Sequence, residues 1–179
     1  MKAVLLNGSP RKGNTVSALE ALKKGMASIA DLEIRQIDAE EVSVCPCIAC
    51  DHCKENDGTC VFDDDTNEVI GAVAEADILV FATPVYWWGV TAQLKAIIDK
   101  FYSRSEQFAE MSKKVGLIVI GEAEQGDPQY EIISKQFECI CNYLGWELTF
   151  SKTYTAADPG DLAKSDAAMK ELQQLGEAF

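Results

Sequence analysis

Asn7-Gly8-Ser9-Pro10-Arg11-Lys12-Gly13-Asn14-Thr15 links a short apolar run, Ala3-Val4-Leu5-Leu6, to a stretch with apolar residues at Val16, Leu19, Leu22, Met26 and Ile29. The run reads as a buried strand, and the spacing of the second set as an amphipathic helix. The segment is therefore a strand-to-helix turn, dense in Gly, Ser, Asn and Thr. Backbone N–H groups at a helix start point outward, and the helix dipole favours an anion there. A phosphate is the natural occupant. Gly8 to Thr15 almost spells the nucleoside-triphosphate loop, but Asn14 stands where that loop has its lysine. The glycines, Gly8 and Gly13, do not follow the dinucleotide fingerprint either. One terminal phosphate fits best, with hydroxyls from Ser9 and Thr15 and a charge-assisted bond from Arg11. The alternative is a plain βα turn capped at Asn14.

The rest of the chain repeats this alternation. Strands are expected at 2–7, 33–38, 77–83, 115–121 and 147–151. Helices are expected at 15–30, 64–75, 90–103, 128–144 and 162–177. Ile78-Leu79-Val80-Phe81 and Val115-Gly116-Leu117-Ile118-Val119-Ile120 are continuous apolar runs, as strands covered on both faces require. The pattern predicts one α/β domain over 1–179, a doubly wound, five-stranded parallel sheet in a three-layer αβα arrangement. Ligands in such sheets sit at the carboxyl ends of the strands. The irregular stretch is a cysteine-rich insertion at 42–63.

Composition narrows the partners. A net charge of −13 would repel a nucleic-acid backbone. No run approaches the roughly 20 apolar residues of a membrane span. Met1-Lys2 leads straight into a strand, so a cytoplasmic protein without a signal peptide is expected. Seven cysteines in that setting point to ligands or redox groups rather than structural disulfides.

The third strand ends in Pro84-Val85-Tyr86-Trp87-Trp88-Gly89. Aromatic side chains on a loop suit stacking on a flat ring. Tyr86 and the loop backbone are the better ligand candidates, and Trp87 and Trp88 serve equally well as a subunit contact. Gly121 opens a polar loop, Gly121-Glu122-Ala123-Glu124-Gln125-Gly126-Asp127, that could offer donors to a ring edge.

Gly8-Ser9-Pro10-Arg11-Lys12-Gly13-Asn14-Thr15 together with Pro84-Val85-Tyr86-Trp87 resembles the NADPH-dependent FMN reductase family of the flavodoxin-like superfamily, over residues 1 to about 145. The resemblance implies noncovalent FMN. Its phosphate would lie on Ser9, Arg11, Gly13, Asn14 and Thr15, and its ring on Pro84, Val85, Tyr86, Trp87 and Gly89, with Gly121 nearby. It also implies a homodimer or higher homo-oligomer.

Within the insertion, Cys47-x2-Cys50-x2-Cys53-x6-Cys60 and the following Asp63-Asp64 resemble the iron–sulfur flavoprotein branch, in which four cysteines hold a [4Fe-4S] cluster near FMN. Read from the residues alone, a cluster, free or reversibly paired thiols, and zinc all remain open. The only histidine, His52, and the helical Cys139 and Cys141 are assigned solvent and packing roles. The expected function is an FMN-dependent oxidoreductase with NAD(P)H as co-substrate, passing electrons to a quinone, a flavin or the cluster. No catalytic side chain is needed, because the cofactor carries the chemistry. The rival is an electron carrier between protein partners.

Overall fold

The computed structural model describes residues 1–179. Its five strands are β1 (Lys2–Asn7), β2 (Glu33–Asp38), β3 (Ile78–Pro84), β4 (Lys114–Gly121) and β5 (Glu147–Thr155). All neighbours run parallel, in the order β2-β1-β3-β4-β5. The helices are α1 (Asn14–Met26), α2 (His52–Glu55), α3 (Thr66–Glu75), α4 (Ala92–Asp99), α5 (Ser105–Ala109), α6 (Pro128–Leu144) and α7 (Asp166–Glu177). No helix is long and apolar enough to cross a membrane.

The strand period explains the layers. In β1, Val4 and Leu6 join the core on one face, and Ala3 and Leu5 join the core on the other. The same split separates Leu79 and Phe81 from Ile78 and Val80, and Leu117 and Val119 from Ile118 and Ile120. Successive side chains point to opposite faces, so a strand buried on both must be apolar throughout. Helices α3, α4 and α6 cover the first face; α1 and α7 cover the second. Strand β1 lies between β2 and β3, so the winding reverses there. The crevice for a ligand opens at the carboxyl ends beside it.

Helices α1 and α7 meet through glycine. A Cβ on Gly25 would stand 1.9 Å from the Gln173 carbonyl oxygen, and one on Gly176 2.2 Å from that of Leu22. Two backbones approach this closely only where neither carries a side chain.

Several boundaries differ from the sequence expectations. Helix α1 stops at Met26 because the Ser28 amide (3.0 Å) and hydroxyl (2.8 Å) both donate to the Gly25 carbonyl. The expected helix over 90–103 begins after Thr91, whose hydroxyl accepts the Leu94 N–H, and becomes a 3-10 turn at Lys100–Arg104. The expected helix over 162–177 is broken at Ser165, which caps α7 by accepting the Ala168 N–H. Strand β5 runs past 151 to Thr155, because Tyr154 is still packed into the core. Cys141 is buried as expected, but Cys139 is exposed.

Candidate functional site

Strand β1 delivers its turn to the crevice in a fixed shape. The Gly8 N–H donates to the Ala82 carbonyl at 2.8 Å, and the Thr91 hydroxyl donates to the Gly8 carbonyl at 2.6 Å. The Asn7 carboxamide donates to Asp38 (2.6 Å) and accepts the Ser9 N–H (3.1 Å). The Ser9 hydroxyl donates to the Arg11 carbonyl (2.7 Å) and accepts the Arg11 N–H (3.3 Å). Beyond Arg11 the internal pairing stops. The backbone N–H groups of Lys12 through Val16 have no partner within the protein, and no side chain caps the start of α1. The first turn carries no acidic residue, and the Thr15 hydroxyl is also unpaired. Unpaired N–H groups at a helix N-terminus, backed by the dipole, form an anion site. The Arg11 side chain, exposed beside it, makes no ion pair elsewhere.

Ser9, Arg11, Asn14 and Thr15 of this turn line a cleft of about 440 Å³. Pro84, Val85, Tyr86, Trp87 and Trp88 line the same cleft. Tyr86 and Gly89 exchange backbone hydrogen bonds of 2.9 and 3.0 Å across a two-residue turn. The turn places Trp87 at φ 51° and Trp88 at φ 60°. Asn and Gly normally fill these left-handed positions, and a bulky aromatic there is strained. The two indoles meet edge to face, with centroids 5.5 Å apart, and Trp87 is 91% exposed. The aromatic pair is thus held out over the cleft at a cost in backbone energy, a feature that concentrates at functional sites.

Two further segments close the walls. Ile120, Gly121, Glu122 and Ala123 follow β4, and Asp127 and Gln129 start α6. The Tyr130 hydroxyl donates to the Ala123 carbonyl at 2.7 Å and pins this loop. Ala156, Ala157 and Pro159, past β5, form the remaining wall. Asn14 holds it in place. Its amide donates to the Asp158 carbonyl (3.0 Å) and the Ala156 carbonyl (3.4 Å), and its carbonyl accepts the Leu162 N–H (3.1 Å).

The cysteine insertion forms a second site. Cys47, Cys50, Cys53 and Cys60 line one small pocket, of about 20 Å³, together with Lys100 and Phe62. None of the cysteines is in a disulfide. Cys45 lies outside the pocket. Its thiol hydrogen-bonds to Asp64, which pushes its pKa up, and its N–H donates to the same carboxylate at 2.8 Å. Burial pushes the Cys53 thiol up. The donor set is soft sulfur throughout, which fits an iron–sulfur centre. The side chains do not stand at metal-ligating spacing: no three His, Cys, Asp or Glu groups do so anywhere in the molecule.

A sequence model of the NADPH-dependent FMN reductases matches residues 1–134. The chain belongs to the NADPH-dependent FMN reductase family. It is 33% identical to an iron-sulfur flavoprotein of Methanocaldococcus jannaschii, over 98% of this chain and 94% of that one. Among solved structures, an azoreductase from Bacillus anthracis superposes with a TM-score of 0.75 at 15% identity, covering all of both chains. A WrbA-like flavodoxin protein from Agrobacterium tumefaciens does so with a TM-score of 0.67 at 15% identity, over 99% of this chain and 93% of that one. The fold is flavodoxin-like.

The reductase-family match covers the β1 turn, the aromatic loop and the cysteine insertion, but not the wall at 156–159. Of the residues expected from sequence, Ser9, Arg11, Asn14, Thr15, Pro84, Val85, Tyr86, Trp87 and Gly121 line the cleft. Gly13 and Gly89 do not. Gly13 precedes α1, and Gly89 closes the Trp turn from behind. Asn14 lines the cleft, yet its carboxamide is spent on the 156–162 segment rather than free for a ligand. The sequence expectation ends β5 at 151, whereas the strand runs to Thr155 and carries this segment to the cleft. The segment's one signal was Asp158-Pro159-Gly160, a turn at the ligand-bearing edge of the sheet.

Proposed function

We propose that the chain is an FMN-dependent oxidoreductase that takes electrons from NAD(P)H and passes them to a small acceptor. The reading rests on one observation: the turn that carries the unpaired N–H groups of Lys12–Val16 shares one cleft lining, through Ser9, Arg11, Asn14 and Thr15, with the Pro84–Trp88 loop. FMN is a monophosphate joined to a flat ring, and supplies hydride and single-electron chemistry when bound. The chain's part is to bind and orient. The α1 start and Arg11 take the phosphate, Thr15 adds a hydroxyl, and Val85 and Tyr86 support the ring. Trp87 and Trp88 leave one side of the cleft aromatic and open to an acceptor. The family's nicotinamide dependence supports NAD(P)H as donor.

Arg11→Ala tests this placement. It should weaken FMN about 10- to 100-fold, the loss of one charge-assisted bond of about 1.5–3 kcal/mol. Riboflavin, which lacks the phosphate, should bind equally to both proteins. Titration of each flavin by fluorescence quenching reads the difference, and equal losses would remove the phosphate from this turn.

A second reading has its own support. Four thiols around one pocket, and the likeness to a protein named iron-sulfur flavoprotein, favour an electron carrier with a [4Fe-4S] cluster and little NAD(P)H oxidation. Steady-state NADPH and NADH oxidation with quinone and flavin acceptors separates the two.

A further inference from the structure

Lys100 is the odd residue in the cysteine pocket. It opens the 3-10 turn after α4 and is only 3% exposed. Its Nζ lies 3.4 Å from the Cys60 Sγ and 4.5 Å above the Phe62 ring. No carboxylate pairs with it. The adjacent Asp99 is engaged by Lys95, and Asp64 by Thr66 and Cys45. A buried ammonium without an anion is costly, and a neutral thiol is a poor substitute. Elsewhere the protein meets that demand: buried Lys113 donates to the carbonyls of Ala74 (2.9 Å) and Ala76 (2.5 Å). Lys100 has no carbonyl partner of this kind. The ammonium, the ring and the four thiols share a single lining. Asp51 and Asp99 line the same pocket, but Asp51 accepts from the Tyr102 hydroxyl at 2.8 Å and Asp99 pairs with Lys95, so the anion that would face Lys100 is one built from those thiols.

We infer that Lys100 is the counter-cation of an anionic iron–sulfur centre held by Cys47, Cys50, Cys53 and Cys60, and that its charge raises the centre's reduction potential. The inference rests on the cluster reading above. A cubane held by four thiolates is a net anion, and it gains one more negative charge when it accepts one electron. A fixed positive charge beside a ligand sulfur stabilises the reduced form more than the oxidised form, because the attraction grows with the charge. Lys100 is thus a positioning residue for charge. Free neutral thiols give it no such role.

Wild type, Lys100→Met, Lys100→Gln and Lys100→Arg are reconstituted anaerobically with iron and sulfide, and each is titrated with dithionite while the visible and EPR spectra are followed. FMN binding and far-UV circular dichroism check the fold, and Lys100→Gln carries the comparison if Lys100→Met does not fold. The neutral variants should take an electron at a more negative potential than wild type and lose iron to a chelator several-fold faster. Lys100→Arg should keep the wild-type potential. Without a cluster, Lys100→Met should melt no lower than wild type, since an unpaired buried charge has been removed; a lower melt there overturns the premise. Equal potentials in wild type and the neutral variants, with wild type loaded at about four irons per chain, overturn the inference and leave the cluster reading standing. A wild type that takes up no iron, or zinc alone, ends both.

Discussion

Asn14 divides its backbone from its side chain: its N–H is one of the unpaired groups at the start of α1, while its carboxamide is engaged elsewhere. Its place in the turn suggested a phosphate ligand. Its carboxamide makes hydrogen bonds to Ala156, Asp158 and Leu162, far away in sequence. Asn14→Ala should therefore lower stability in the absence of flavin. Removing these partners leaves a buried N–H and carbonyl groups unpaired, at about 1–3 kcal/mol, or a drop of about 2–10 °C in melting temperature. Scanning calorimetry of the flavin-free protein measures this. An unchanged melt with weakened FMN would return Asn14 to the ligand set. Trp87 and Trp88 lie at the other limit: their aromatic character was plain in the sequence, but their left-handed backbone was not.

At the scale of elements, β5 and α7 are joined by a small polar network. Lys152 pairs with Glu171 at 2.6 Å, and the Tyr154 hydroxyl donates to Glu171 at 2.9 Å. The Lys152 hydrogen bond holds the Glu171 carboxyl below its usual range despite some desolvation. Burial, then the bond to Glu171, pushes the Tyr154 phenol up. Below the ordinary carboxylate value, the unfolded chain binds a proton that the folded one resists. The stability from Glu171 is thus complete above that value and is lost as pH falls through the depressed one. Thermal melts from about pH 7 to about pH 3 should show Glu171→Gln losing less stability than wild type across the acid limb. Parallel limbs would show that the network contributes nothing there. Element type was legible wherever apolar period and length agreed, as in β3, β4 and α6. Boundaries were less so, because Ser28, Thr91 and Ser165 end or start helices through hydrogen bonds to particular neighbours.

At the scale of the whole molecule, the exposed Trp87 points to self-association. A large apolar side chain that is 91% exposed is costly on a lone chain and typical of an interface core. We propose a homodimer with Trp87 or Trp88 at or near the contact. Light scattering at micromolar concentration should give twice the 19.6 kDa chain mass, and Trp87→Ser should shift it toward one chain; a wild-type monomer refutes the contact. The sequence by itself determined the α/β class, the parallel sheet, the donor-rich turn before α1 and the aromatic loop. Each is written in local period or turn chemistry, and a residue's neighbours in the chain are enough to express it. Tertiary structure decided the rest. It brought the 156–159 wall to the cleft through Asn14 and let α1 meet α7 at Gly25 and Gly176. It also buried Lys100 among the thiols. These depend on which groups, distant in sequence, lose water together, and the cost of leaving a buried charge or amide unpaired is set only when the chain closes around it.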